Sequence, residues 1–301
     1  MSAARPVVRK EIERATERLQ ACARQGVMVS SAMPLPVVLT IAGSDNSAGA
    51  GAQADLKTIS ALGAYGVTAI TCVVAEVPGK VSAVHPIPPA IVAEQIRLLF
   101  DAFPIAALKT GMLFSGEIIR AVAAVLGECR AREGRRPLVV DPVMVATSGD
   151  ALLRPDAVAL YAEHLFPLAA VVTPNLDEVR ILLGRACISV AEMREAGREL
   201  AVRHGCAFLI KGGHLRESVA TDLLVMPDGG VRSYEADFVP GVSTHGTGCT
   251  YSAAIATALA RGLALPEAVG EAKKFVTRAI TGFLRWEKNG HITDALHHFK
   301  A

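Results

Sequence analysis

The chain carries 301 residues, 51% hydrophobic and 20% charged, with 31 Lys and Arg against 29 Asp and Glu for a formal net charge of +2. That length suits one large core or two modest domains, and a near-neutral balance without any basic run excludes a dedicated nucleic-acid binder. Its apolar stretches are broken by Gly, Pro or charge within about a dozen residues, too short for a membrane-spanning helix.

Residues 1–36 mix charge with small apolar residues. The three- and four-residue spacing of Arg9, Glu13, Arg14, Glu17 and Arg18 predicts a solvated helical extension. The first core-like strand begins only after Pro34 and Pro36, so the fold proper is expected over 37–301, with Met28 or Met33 as a possible natural start. From Val37 a pattern repeats of an apolar β-branched run, a turn and an amphipathic helix. Strand 37–42 is apolar throughout, as a strand buried on both faces requires. A glycine-rich loop, 43–51, leads to a helix over 52–62, strand 67–74, a hairpin-like segment through Pro78-Gly79 to His85, helix 89–100 and strand 106–109. Helix 116–132, strand 138–141, helix 156–165 and strand 170–173 come next, then helices starting near Asn175 and Val190. Strand 207–211, two strands around 221–225 and 231–236, a helix after Cys249 closing on Gly262, and a last helix over 266–283 complete the chain. Alternation of this kind predicts an α/β fold of three layers, a mostly parallel sheet between helices, with the 76–85 hairpin as a small β flap.

In such sheets ligands collect beyond the carboxyl ends of the strands. Each strand here ends in a polar or glycine segment: Gly43-Ser44-Asp45, Glu76, Lys109-Thr110-Gly111-Met112, Asp141-Pro142-Val143-Met144, Thr173-Pro174-Asn175 and Lys211-Gly212-Gly213-His214. Core demands alone would not gather them at one rim. Thr244-His245-Gly246-Thr247-Gly248-Cys249-Thr250 places two glycines where a loop becomes a helix, so free amides and the helix dipole suit an anion. Cys249 in that field is expected to have a pKa below the ordinary ~8.5 and to accept a proton. Gly43 to Gly51 lacks the Lys-Ser or Lys-Thr of a Walker loop, and no dinucleotide fingerprint is complete. Asp55, one turn into its helix, is expected either to face the cleft and bind a donor group or to serve as a dipole-favoured first-turn acid. Asn175 and Glu178 read as a capping box or, with Asp141, as oxygen ligands for Mg²⁺ on a phosphate. Lys211 ends a buried strand, where its ammonium can meet a nucleotide phosphate. His245, His291, His297 and His298 show no metal spacing and read as structural or solvent-facing. Six cysteines (Cys22, Cys72, Cys129, Cys187, Cys206, Cys249) without a Cys-x-x-Cys pair, in a sequence without a signal peptide, point to the reducing cytoplasm. An anion pocket, an acidic pair, a lysine and a base together fit phosphoryl transfer.

These rim motifs, with Gly49-Ala50-Gly51-Ala52-Gln53-Ala54-Asp55-Leu56-Lys57-Thr58 and Thr173-Pro174-Asn175-Leu176-Asp177-Glu178, resemble in order those of the hydroxymethylpyrimidine/phosphomethylpyrimidine kinases of thiamine biosynthesis, in the ribokinase-like superfamily. The resemblance runs from about Val37 to Phe299. It implies ATP-dependent phosphorylation of 4-amino-5-hydroxymethyl-2-methylpyrimidine and then of its monophosphate, by a homodimer that needs no nucleic acid or membrane. By similarity Cys249 is the base and Gly246, Thr247 and Gly248 the anion hole. Lys211, Asn175 and Thr247 meet ATP, and Asp141 and Glu178 organise Mg²⁺. Asp55, Glu76, Gly43, Met112 and Val143 surround the pyrimidine. Family members carry Gln-Asn-Thr where this chain has Glu76-Val77-Pro78, and the carboxylate has lost the amide's donor. Pyridoxal or pyridoxine is therefore the alternative substrate that the resemblance implies. A non-catalytic ligand sensor on the same fold is a third reading, opposed by Lys211, Glu178 and Cys249.

Overall fold

The structure is a computed structural model that describes residues 34–144, 155–213, 219–242 and 245–300. The expected N-terminal helix, and His214 and Thr244 of the rim motifs, lie outside the described residues. The central sheet has nine strands: β1 (Val37–Asp45), β2 (Tyr65–Val77), β3 (Lys80–Pro86), β4 (Ile105–Thr110), β5 (Leu138–Val140), β6 (Val171–Val172), β7 (Ala207–Lys211), β8 (Val219–Val225) and β9 (Val231–Asp237). Their order is β3-β2-β1-β4-β5-β6-β7-β8-β9. The six strands from β2 to β7 in that order run parallel, and β3, β8 and β9 pair antiparallel at the two edges. The expected flap is thus a hairpin continuous with the main sheet, its tip walling the cleft at Glu76, Val77, Lys80 and Val81.

Both faces of this sheet are covered, and the two-residue period of a strand decides which side chain goes where. In β1 Leu39 and Ile41 join one core and Val38 the other; β5 sends Leu138 and Val140 one way and Val139 the opposite way; β7 sends Phe208 and Ile210 one way and Leu209 the other. One core packs under α2 (Pro89–Ala102), α3 (Gly116–Glu133) and α6 (Val190–His204); the other lies against α7 (Thr247–Ala260) and α8 (Leu265–Thr281). Each fully buried Leu, Ile or Phe contributes roughly 1.5–3 kcal/mol, which is why strands apolar on both faces are stable here. α1 (Gly51–Ala61) follows β1, α4 (Pro155–Leu160) runs on into a π-helical turn, Tyr161–Leu165, and α5 (Leu176–Leu183) follows β6.

Local signals agree with these bounds. Ser115 caps α3 by accepting from Ile118 N at 3.3 Å, Arg130 and Arg132 lie in its last turn, and Gly134 ends it at φ 83°. α7 is alanine-rich and buried from Thr250 to Ala258, so it packs closely on its neighbours and carries its first turn to the strand ends. The last helix stops at Thr281 rather than at residue 283. It is followed by a separate hairpin, β10 (Leu284–Lys288) and β11 (His291–Ala295), which the sequence reading did not include.

Candidate active site

A cleft of about 770 Å³ opens along the carboxyl ends of the parallel strands. Gly43, Glu76, Met112, Asp141, Val143, Asn175, Glu178, Lys211, Gly246, Thr247, Gly248 and Cys249 all line it, so residues spread over two hundred positions meet as expected.

At one end stands the head of α7. Gly246 precedes the helix at φ 81°, and a Cβ there would lie 1.8 Å from the Gly49 carbonyl oxygen, so only glycine fits. The amides at the head of a helix, where its dipole is positive, suit an anion. Gly248 keeps that backbone open to the charged groups opposite: a Cβ would stand 3.3 Å from Lys211 Nζ and 3.5 Å from Asp141 Oδ2.

Lys211, the last residue of β7, is fixed by Lys211 N donating to Pro174 O at 2.9 Å, and its Nζ donates to Asp141 Oδ1 at 3.0 Å. Asp141 also accepts from Thr173 Oγ1 at 3.1 Å and Ser252 Oγ at 3.3 Å. Burial disfavours the Asp141 charge, yet Lys211 and Lys109 outweigh it and hold the carboxyl below its ordinary range. Asn175 and Glu178 form the capping box of α5: Glu178 N donates to Asn175 Oδ1 at 2.9 Å and Asn175 N to Glu178 Oε2 at 2.8 Å. The box does not remove Glu178 from the cleft wall. Burial, with Asp141 adding to it, pushes its carboxyl up to about 7 against the pull of Lys211. Two buried carboxylates share Lys211, and the second lysine that Asp141 feels, Lys109, is already paired with Asp55, so this end is short of positive charge. That imbalance and the hard oxygen donors fit a divalent cation held by Asp141 and Glu178.

Cys249 is half-buried in the first turn of α7 and receives a hydrogen bond from Gly51 N at the head of α1. The expected lowering of its pKa is not found. Burial pushes the thiol up to about 11, because loss of water around a thiolate costs more than a helix terminus and Lys109 return. Asp55 also departs from the expectation that it meets the substrate: it is fully buried below the cleft, with Lys109 Nζ at 2.8 Å and 3.0 Å and Thr40 Oγ1 at 2.5 Å. No oxygen of Asp55 is left to face a ligand.

At the other end, ligand atoms of Asp45, Glu76 and His245 lie within 4.8 Å of one another. Asp45 accepts from Ser47 N at 2.6 Å, Ala50 N at 2.7 Å and His245 Nε2 at 3.2 Å, and stays ionised below the usual carboxylate range despite its burial. Burial and the Asp45 charge raise Glu76. His245, read from the sequence as structural or solvent-facing, is therefore a cleft residue; its place one position before the cap glycine was the available signal. Lys273 and Asp222, joined at 2.7 Å, also line the wall and were missed, since neither sits in a motif. Asp222 Oδ1 accepts from Gly212 N at 3.0 Å and so steadies the turn after Lys211.

A parallel-sheet core that presents a glycine-lined helix head, a lysine and paired carboxylates at one cleft defines a small-molecule phosphotransferase. Known proteins agree. Residues 45–293 match the family model described as phosphomethylpyrimidine kinase. A hydroxymethylpyrimidine/phosphomethylpyrimidine kinase of Rhizobium meliloti is 47% identical over 264 residues, 87% of this chain and 97% of that one. The thiamine biosynthesis bifunctional protein of Geobacter sulfurreducens is 46% identical over 82% of this chain, which spans only 49% of that protein. The crystal structure of Bacillus subtilis pyridoxal kinase in an ADP complex superposes with a TM-score of 0.79 at 34% identity, covering 88% of this chain and 98% of that one. The chain belongs to the phosphomethylpyrimidine kinase family and has its ribokinase-like fold.

Proposed function

We propose that the protein transfers the γ-phosphoryl group of ATP to the hydroxymethyl oxygen of 4-amino-5-hydroxymethyl-2-methylpyrimidine, and then phosphorylates the resulting monophosphate, in thiamine biosynthesis. One observation carries this reading: the open backbone of Gly248 lies between the α7 amides and the Lys211–Asp141 pair, in the same first turn as Cys249. Phosphoryl transfer is chiefly positioning and charge neutralisation, and this is where both are concentrated. The amides of Gly246, Thr247 and Gly248 grip the moving phosphoryl group, and Lys211 and Asn175 hold the nucleotide. Asp141 and Glu178 hold Mg²⁺, which supplies charge neutralisation on the phosphates. Cys249 takes the proton of the acceptor hydroxyl, while Gly43, Met112, Val143 and Glu76 enclose the ring.

A second reading, pyridoxal or pyridoxine as the acceptor, is favoured by Glu76, a carboxylate where a ring amide partner is expected, and by the likeness to a pyridoxal kinase. The five described cysteines are free, which supports a reducing cytoplasm as the site of action. We infer a homodimer from the family. ATP consumption measured with the aminopyrimidine, its monophosphate and pyridoxal tests the reading directly, with Glu76→Gln run beside the native protein. The aminopyrimidine is expected to be turned over best, and Glu76→Gln to favour it by about a further tenfold over pyridoxal, the value of one hydrogen bond. Turnover of pyridoxal alone would reject the first reading.

A further inference from the structure

The head of α7 has a support that the transfer described so far does not use. This turn is loose by composition: it begins at one glycine and contains another, and no side chain caps it at Gly246. Other contacts must therefore hold its amides and Cys249 in register. Inside the helix the closing bond runs from Thr250 N to Gly246 O at 2.9 Å. The Thr250 hydroxyl supplies a second hold from outside. Thr58, Ser252, Thr257 and Thr277 each turn their hydroxyl back to the carbonyl four residues earlier, at 2.8 or 2.9 Å, the usual habit of such residues within a helix. Thr250 Oγ1 instead meets His298 Nε2 at 3.0 Å, 48 residues further along the chain, with Thr250 0% and His298 3% exposed.

His298, read from the sequence as structural or solvent-facing, is itself anchored. It opens a 3₁₀ turn, His298–Lys300, that packs on α1 and α8, and His297 N donates to Ala279 O of α8 at 3.1 Å. The ring also hydrogen-bonds the Leu296 backbone, which leaves Nε2 to accept the Thr250 hydroxyl proton. Burial, with Lys57 adding to it, lowers this imidazole to about 4, so it stays neutral near pH 7. On the cleft side the same helix is tied by Ser252 Oγ, which lies 3.3 Å from Asp141 Oδ2. The first turns of α7 are thus held from two sides, and only the Ser252 side belongs to the charged groups of the cleft.

We propose that His298 is a positioning residue for phosphoryl transfer, bracing Thr250 so that the α7 amides and Cys249 keep the spacing the moving phosphoryl group needs. The inference rests on the reading of that helix head as the phosphoryl grip. His298 touches no reacting atom, acts only through Thr250 and keeps its own protons throughout. Neither residue lines the cleft, so neither can bind ATP or the acceptor directly. The grip matters most while the phosphoryl group is between donor and acceptor, so loss of the brace falls on kcat rather than on KM.

Two substitutions at Thr250 separate bracing from packing. Thr250→Val keeps the shape and loses the hydroxyl, whereas Thr250→Ser loses a methyl group and keeps the hydroxyl. Steady-state kinetics of the full chain with ATP and the aminopyrimidine, well below the melting temperature, read the difference. Thr250→Val is expected to lower kcat by about 10²-fold, the scale of a small misplacement, with KM for ATP within about threefold of native. Thr250→Ser is expected to keep kcat within about threefold, although it melts earlier than the native chain. His298→Ala should match Thr250→Val, and the double variant should be no slower than either, because the two residues act as one unit. Should Thr250→Val fail to fold, His298→Gln decides: its amide can reach the Nε2 position, and it is expected to recover about tenfold of the loss in His298→Ala, the value of one hydrogen bond. A merely structural contact would let turnover follow the melting temperature. Native kcat in Thr250→Val, a Thr250→Ser as slow as Thr250→Val, a loss confined to KM, or a His298→Gln no faster than His298→Ala overturns the inference. A native chain that consumes no ATP with any of the three acceptors would instead reject the grip reading beneath it, so the two failures are distinct.

Discussion

Two lysine–aspartate pairs sit at the strand ends of one sheet, and they differ in what surrounds them. Lys109–Asp55 is sealed, with both side chains 0% exposed and the carboxylate filled by lysine and threonine donors. Lys211–Asp141 is 14% and 3% exposed, borders the cleft and has a third charge beside it in Glu178. The chemistry of each pair is the same, so the difference lies in completeness: the first is balanced by itself, and the second has an acid in excess and access to a ligand. A closed pair can only shape the field around it, whereas an open one can trade its partner for a phosphate or a cation.

Three measurements break or sharpen that contrast. Lys211→Met is expected to lower kcat/KM by about 10³-fold, the scale seen when a charge-stabilising donor is removed, while the fold persists; near-native kinetics would show that the open pair does not meet the nucleotide. Lys109→Met leaves Asp55 buried without its cation and is expected to cost about 3 kcal/mol in denaturant unfolding, more than Lys211→Met does. Equal losses for the two would erase the distinction. The smallest effect concerns Glu178. Its folded value of about 7 lies above the ordinary 4.5, so the native state holds this proton more tightly than the unfolded chain. Stability attributable to it is present below about pH 4.5 and is lost as pH rises through about 7. Glu178→Gln should flatten that slope in unfolding experiments between pH 4.5 and 7, and an unchanged slope would assign the acid excess elsewhere.

Much of the open pair was legible in the chain. Asp141 and Lys211 end apolar strands, and the Asn175 to Glu178 spacing marks both a cap and a carboxylate at the rim. The sealed pair was not legible, because Asp55 and Lys109 are 54 residues apart and nothing in a one-turn offset on a helix says whether the side chain points to solvent, cleft or floor. The Cys249 error has a similar origin: helix position can be read from sequence, but the depth of burial that outweighs the helix terminus cannot. The hairpin β10–β11 was a different kind of miss, since Asn289 and Gly290 at φ 55° and 75° form a turn whose Asn-Gly signature stands between alternating residues and could have been recognised. The strand limits of β7 agree with expectation because every one of its apolar residues is needed by one core or the other.

The glycines at 49 and 246 lead to a mechanical conclusion. A Cβ at Gly49 would come within 2.9 Å of the His245 ring, and one at Gly246 would come within 1.8 Å of the Gly49 carbonyl oxygen, so each segment fills the room that the other's side chain would need. Nearly two hundred residues apart in the chain, the two loops interlock like the teeth of a zip. Neither can be lifted without disturbing the other, so the two loops behave as one wall of the cleft.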